Sequence, residues 1–323
     1  MGVTGKRSAA FDNLRGLLMV LVVFGHLMET MSRDPIAEKH ALYFLIYTFH
    51  MPAFLFLSGY FGRFSWKRVA RLVVLYALFQ AIYCGFSAWV LEKTIATPYT
   101  KPYWILWYLM VLIYDTCLIP VLDRIRGKWR WAAMAGLVAL AVGVGHYEKI
   151  QYPWSLSRFF VFLPYFALGH WMGQGAGKER PRLWPVPGAI ALMLTVGMYL
   201  DDTVTVKMLY GALPYYIDEG PLIRLIILVA GGCWTVALLG AAGTWLDREI
   251  PLLTGWGQRT LPIFLLHGFV VKWLDHREIL GDSLWIPVLL TPVLLVLFGN
   301  PFVGRAFQWL LRKIDGIFPK AMV

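Results

Sequence analysis

FDNLRGLLMVLVVFGH, residues 11–26, is the stretch that decides the fold. Its strongly polar side chains, Asp12, Asn13, Arg15 and His26, are embedded in a continuous apolar run, too long and too hydrophobic for an ordinary core helix, and the run reads as a membrane-spanning helix. Charge inside such a run is costly and demands a function or a partner. At roughly 100° per residue, the eleven steps from Arg15 to His26 close about three turns, which places both side chains on one stripe. At about 1.5 Å per residue they stand roughly 16 Å apart along it, half the thickness of a bilayer core.

The rest of the chain has the same character. Of its 323 residues 59% are hydrophobic, 16% aromatic and only 15% charged, and the mean hydropathy is +0.60, which identifies a multi-spanning membrane protein. Windows of about 17 to 25 apolar residues predict ten spans, near 9–29, 42–62, 69–91, 104–122, 130–146, 157–174, 186–200, 222–242, 259–274 and 286–304. The fold class expected is an all-α polytopic bundle of about ten transmembrane helices. Lys6 and Arg7 precede the first run as in a secretory signal, but the run is too long, contains Arg15 and ends without a small-residue cleavage site, so it is read as an uncleaved span.

Lys and Arg outnumber Asp and Glu 30 to 19. With the N-terminus in the cytoplasm, nineteen basic residues fall in inner segments and seven in outer ones, an asymmetry that places both termini in the cytoplasm and explains the positive charge by topology rather than by nucleic acid. No stripe with nucleic-acid spacing occurs. Cys84, Cys117 and Cys233 lie in apolar segments at unrelated spacings and suggest neither a disulfide framework nor a metal cluster. Metal-ligand spacings, a nucleophile elbow and a phosphate-binding glycine loop are absent, and no metal is expected. No linker or internal repeat interrupts the pattern, and a single transmembrane domain over 1–323 is expected.

Four histidines, His26, His50, His170 and His267, fall within spans, while His40, His146 and His276 fall in or beside outer loops. An intramembrane ionisable residue is a functional candidate, with a purely structural pairing as its competitor. His26 and His50 strengthen each other: both occupy the outer half of antiparallel neighbouring helices, where a neutral imidazole can take a proton from a hydroxyl and return it to a leaving group. Glu29, one turn after His26, either orients the ring or, more simply, faces the headgroups. Asp12 and Arg15, three apart, form an internal ion pair or place Arg15 to hold a phosphate or polarise a carbonyl at the inner mouth of a cavity. Arg68 and Arg71, one turn apart in WKRVAR, are explained alone by topology and, together with Arg15, by a polyanionic cofactor. Arg158 and Arg224 each open a span from outside and can snorkel to the interface, the preferred reading for Arg224. Asp115, inside the fourth span, has no partner visible in sequence. Ser58-Gly59 reads as a packing spot rather than a nucleophile. The outer clusters at 99–108 (with Trp104 and Trp107), 147–154 and 210–220 form either an interfacial belt or a stacking platform for sugar rings.

These residues also carry a resemblance. FDNLRGLLMVLVVFGH resembles the arginine, ten residues, histidine pattern of the membrane acyltransferase-3 family, FHMPAFLFLSGYF resembles its second-helix motif, and WKRVARL is similar to its basic lead-in to helix three. WILWYLMVLIYD, SRFFVFLPYFALGHWMG and WGQRTLPIFLLHGFV resemble the fourth, sixth and late Leu-His helices of the fucose 4-O-acetylase-like branch, in the right order from about residue 8 to 275. The resemblance implies ten transmembrane helices and transfer of an acyl group, acetyl above all, from cytoplasmic acyl-CoA (acetyl-CoA) to a carbohydrate or glycan hydroxyl at the outer face of a bacterial cell membrane. It implies His26 as catalytic base, Arg15 as acyl-donor ligand, His50 as a further catalytic-site residue and Arg68 and Arg71 as ligands of the nucleotide phosphates. Arg158 and His267 become cavity residues, and Asp12, Trp104 and Trp107 join them. His170 stands where relatives often carry Tyr, and the esterase-like periplasmic domain of some relatives has no counterpart in the resemblance. Besides the carbohydrate acceptor, membrane lipid is the expected partner and nucleic acid is not. A carrier or exporter of glycan or lipid-linked sugar is the reading from a different class, since buried charge and outer aromatics suit it too.

Overall fold

The structure, a computed structural model, describes residues 8–31, 41–95, 99–175, 183–280 and 283–318, without the side chains of Thr30 and Met31. Lys6, Arg7, His40 and most of the segments 30–41 and 175–185 lie outside the described residues. Among those described, regular structure is helical throughout, with no strand. The long helices are α1 (Ala9–Met31), α2 (Ala41–Tyr60), α3 (Trp66–Trp89), α4 (Trp107–Arg124), α5 (Trp129–Gly143) and α6 (Leu156–Gln174). They are followed by α7 (Pro185–Leu200), the single turn α8 (Val206–Leu209), α9 (Gly220–Trp245), α10 (Pro251–Gln258), α11 (Thr260–His276), α12 (Trp285–Gly299) and α13 (Pro301–Ile317). Short 3-10 turns at Trp104–Leu106, Val144–His146, Glu148–Ile150 and Pro153–Ser155 join some of them.

Five of these helices are long and apolar enough to cross a membrane, Ala9–Glu29, Ala41–Tyr60, Trp66–Trp89, Trp104–Arg124 and Gly220–Trp245, and α12 with α13 makes a sixth if the bent pair is one span. The chain is therefore a multi-pass membrane protein. Leu140, Leu183, Met193, Leu200, Leu289 and Val293 are exposed on the outside of the bundle, where lipid rather than water is the matching solvent.

The helix α1 is the centre of the packing. Leu14, Leu18, Val22, Val23 and Leu27 are fully buried in a core shared with Phe54–Leu57 of α2, Phe162 and Leu163 of α6, Ile263 and Val271 of α11, and Leu294 of α12. In a lipid medium close packing and internal hydrogen bonds, rather than water exclusion, hold helices together. Missing side chains permit that closeness. A Cβ at Gly59 would collide with the Phe166 carbonyl, and one at Gly169 with the Phe56 carbonyl, so α2 and α6 meet backbone to backbone and Ser58-Gly59 is a packing point. Gly16 of α1 lies equally close to the Leu253 carbonyl of α10, and Gly257 of α10 to the Asp12 carbonyl of α1. Polar side chains lock that contact: Asn13 donates to the carbonyls of Leu246 and Arg248 at 2.9 and 2.7 Å and accepts from the Thr254 hydroxyl at 2.6 Å.

Two expectations change at the C-terminal end. The last predicted span, 286–304, is broken: α12 stops at Gly299, and α13 leaves it at 51° and runs on to Ile317. Asn300 adopts an extended conformation, its side-chain oxygen accepts from the Val303 N–H at 2.9 Å, and Pro301 occupies the first position of the new helix. An N-cap followed by proline is a helix start, and it ends the helix before it. The segment 243–259, read as a connection, contains the extra helix α10, which begins at Pro251 and is held by Asn13.

Candidate active site

A cavity of about 630 Å³, within the range of small-molecule sites, runs through the bundle between α1, α2, α3, α4 and α11. One end of it is lined by His26, Glu29, Tyr47, His50, Trp104, Trp107, Arg158 and Tyr210, and the other by Arg63, Ser65, Lys67, Arg68 and Arg71. Between them the walls are apolar, with Met19, Phe54, Leu72, Leu109 and Phe264 among the contributors. The two ends are the aromatic end and the basic end below.

At the aromatic end the central pair is His26 with His267. The Nδ1 of His26 lies 2.9 Å from Nε2 of His267, and the rings are parallel within 5° at 5.2 Å between centroids. The fully buried His267 faces its own helix with the other nitrogen, Nδ1, 2.8 Å from the Ile263 carbonyl. A carbonyl accepts only, so Nδ1 of a neutral His267 carries the hydrogen and its Nε2 is an acceptor. The Nδ1 of His26 must then donate, and Nε2 of His26 is left with a lone pair that takes no hydrogen bond among the described residues. The sequence separation of the partners leaves no local signal of this pairing. His50, expected beside His26, lines the same cavity but anchors its Nδ1 on the Ile46 carbonyl at 2.7 Å, which likewise leaves Nε2 as the acceptor.

Around this pair stands a polar and aromatic frame. Glu29 does not turn to the headgroups: Trp104 donates its indole N–H to both carboxylate oxygens, at 3.3 and 3.2 Å, and the Tyr47 hydroxyl donates to one of them at 3.4 Å. Trp104 also lies 4.6 Å from the His26 ring and carries the Lys272 ammonium 4.0 Å above its own ring. Its φ of 30° is in the left-handed region, a conformation that survives because these contacts hold it. The guanidinium of Arg158 is ringed by Trp107 at 5.0 Å, Tyr210 at 5.5 Å and Tyr152 at 5.8 Å, while its Nε has no hydrogen-bond partner among the described residues. Members of all three outer aromatic clusters therefore meet around Arg158 and His26, inside the bundle. Lys272, Tyr47 and Tyr210 are additions to the residues singled out in the sequence. Lys272 had a signal, a cation within a span; the tyrosines had only their nearness to His50 and to the aromatic cluster.

At the basic end α3 begins with Ser65, whose hydroxyl accepts from the Arg68 N–H at 3.1 Å. A helix N-terminus flanked by Arg63, Lys67, Arg68 and Arg71 presents backbone N–H groups and positive charge together, the arrangement that suits phosphate. Arg71 is braced by a two-pronged ion pair with Asp315 of α13, at 2.7 and 2.5 Å, and Leu311 of the same helix closes the wall.

Arg15 and Asp12 stand off this wall. Arg15 pairs with Asp12 at 3.5 Å and lies 4.2 Å over the Phe61 ring, and Asp12 also accepts from Gln258 at 3.1 Å. Because α1 is unbroken, the roughly 16 Å between Arg15 and His26 remains, and one small reacting group cannot touch both. Arg224, expected to snorkel, is only 2% exposed and sits 5.7 Å from the Tyr215 ring. Asp115 is fully buried, and neither carboxylate oxygen has a hydrogen-bond partner among the described residues. His170 lies outside the cavity and pairs with Asp123 at 2.8 Å.

Comparison with known proteins identifies a family. The family model described as "Acyltransferase domain" matches residues 8–299. The chain is similar to the nodulation protein NolL of Mesorhizobium japonicum, 21% identical over 311 residues that cover 84% of this chain and 79% of the relative. It is also similar to the nodulation protein NolL of Sinorhizobium fredii, 28% identical over 158 residues, 42% of each chain. No solved structure matches.

Proposed function

Since this chain belongs to the acyltransferase-3 family and is an acyltransferase, we propose that it moves an acyl group, acetyl in our reading, from cytoplasmic acyl-CoA to a hydroxyl of a carbohydrate or glycan at the outer face of the cell membrane. The observation that carries this reading is the single cavity joining a phosphate-suited basic end to a histidine with an unused lone pair. The excess of basic residues in alternate connections supports ten spans in one membrane domain with both termini in the cytoplasm, which turns the basic end towards the compartment that holds acyl-CoA.

The phosphates bind at the N-terminus of α3 through Lys67, Arg68 and Arg63, and the thioester arm extends along the apolar middle of the cavity to His26. The acceptor hydroxyl enters at the aromatic end, where the faces of Trp104, Trp107 and Tyr210 suit a sugar ring and Glu29 accepts hydroxyl hydrogens. Nε2 of His26 removes the hydroxyl proton as the oxygen attacks the thioester carbonyl. The imidazolium so formed is stabilised because its Nδ1–H already points at Nε2 of His267, which acts on His26 as the third member of a triad acts on its base. The tetrahedral oxyanion meets the guanidinium of Arg158, which lines the cavity and is a cation better placed than Arg15. Collapse of the intermediate expels the CoA thiolate, and His26 returns the proton to it, so the ester and free CoA leave with no net proton change. Arg15, over Phe61, contributes positive potential behind the basic end instead of touching the carbonyl.

The test is made in proteoliposomes with labelled acetyl-CoA inside and glycans outside. Labelled ester that disappears with His26→Ala supports the reading. Sugar flux without ester, insensitive to that change, replaces the enzyme with a carrier.

A further inference from the structure

A second cavity, also about 630 Å³, opens beside the basic end and takes no part in the mechanism above. It lies where α2, α4 and α6 end, and its walls include Tyr60, Phe61, Phe64, Asp123 and Gln174. Arg63 lines this cavity and the first one, so the two share a wall cation. The polar groups here are held in place: Asp123 binds His170 and Gln174, and the Gln174 side-chain oxygen accepts from Arg130 at 2.8 Å. Asp123 is nevertheless half exposed, with one oxygen carrying both of those bonds.

The chemistry on offer is the rings of Tyr60, Phe61 and Phe64, of which Phe61 already carries Arg15 over one face, together with a carboxylate, an amide, and an arginine shared with the first cavity. Aromatic stacking with carboxylate or amide edge contacts is how proteins hold a nucleobase. The first cavity, by contrast, offers cations and an apolar tube at its basic end. Acyl-CoA divides in the same way, into a purine ribonucleotide, a charged phosphate joint and a long thin arm. We infer that the second cavity holds the purine and ribose of acyl-CoA, with the phosphates bridging at Arg63 and the arm passing into the first cavity. This rests on the reading that acyl-CoA is the donor.

A radiolabelled CoA carrying a photoreactive azido group on its purine, crosslinked to the full chain in lipid nanodiscs and mapped by peptide, tests the placement without catalysis. CoA-protected label within 60–64, 119–123 or 170–174 is expected. Label on α3, α11 or α13 walls of the first cavity, with ester formation intact, overturns the inference alone; no CoA-protected label anywhere, together with no ester from any thioester, overturns the donor reading as well. In kinetics, Phe64→Ala and Gln174→Ala each raise KM for acetyl-CoA roughly tenfold, the worth of one base contact. The same variants lower the preference for acetyl-CoA over S-acetylpantetheine, which has no nucleotide. Equal KM changes for the two donors mean a structural effect and contradict the assignment. If a variant fails to fold, the crosslinking map of the unsubstituted chain decides.

Discussion

The two ends of the long cavity solve different problems with different means. The basic end gathers charges near a helix N-terminus, several of them on side chains that are partly exposed, and its ligand is recognised by field rather than by shape. The aromatic end gathers three charges beside the neutral His26–His267 pair, and each has a fixed neighbour: Glu29 on the Trp104 indole N–H, Lys272 over the same indole, Arg158 among three rings. Affinity tolerates imprecision that proton transfer does not. A site that must bind a polyanion and also position a hydroxyl separates the tasks along one channel and lets a flexible donor connect them.

The comparison breaks first at His26. His26→Ala removes the base and lowers kcat for ester formation roughly a hundredfold to ten-thousandfold, measured by label transfer in proteoliposomes, with binding of CoA at the basic end unchanged. His267→Leu leaves the base in place but without its orienting acceptor; kcat falls by about ten- to a hundredfold while KM for acyl-CoA stays within twofold, a split a loss of folding does not produce. The opposite end answers in the opposite parameter. Arg68→Ala raises KM for acyl-CoA by roughly tenfold, with kcat at saturation nearly unchanged, and the deficit narrows with added salt, which screens the same attraction in the unsubstituted protein. The smallest effect belongs to Asp315→Asn: the pair with Arg71 is partly exposed, so its loss costs at most about 1 kcal/mol of stability in thermal unfolding, and freeing Arg71 leaves KM for acyl-CoA equal or lower. Reversal of the kcat and KM assignments between the two ends would break the division of labour.

Much of this was legible in the chain. The span of α1 and the shared stripe of Arg15 and His26 follow from helix geometry, and the α1 helix is unbroken across both. Arg68 and Arg158 were singled out as costly or clustered charge, and both line the cavity. What escaped was pairing between distant segments. Nothing local links His26 to His267, and a histidine on the next helix, His50, looked like the natural partner. Glu29 was misjudged because its position near a span end fits a headgroup contact equally well; only Trp104 and Tyr47, on other elements, distinguish the two. The break at Asn300 did have a local signal, an N-cap residue before proline, but the apolar run passing through it was the stronger pattern. Helix α10 was hidden because its reason to exist is Asn13, far away in sequence.

The meeting of Gly16 with Leu253 and of Gly257 with Asp12 has a wider consequence. Arg15 and His26 point where they do because α1 cannot turn about its own axis: its azimuth is keyed at one end by two absent side chains and an asparagine that grips α10 through Thr254 and the segment before it through Leu246 and Arg248. A twist of a single residue step, about 100°, would swing His26 out of the cavity and away from His267. The bearing of the base is thus set some three turns away from it, by positions that never meet a substrate.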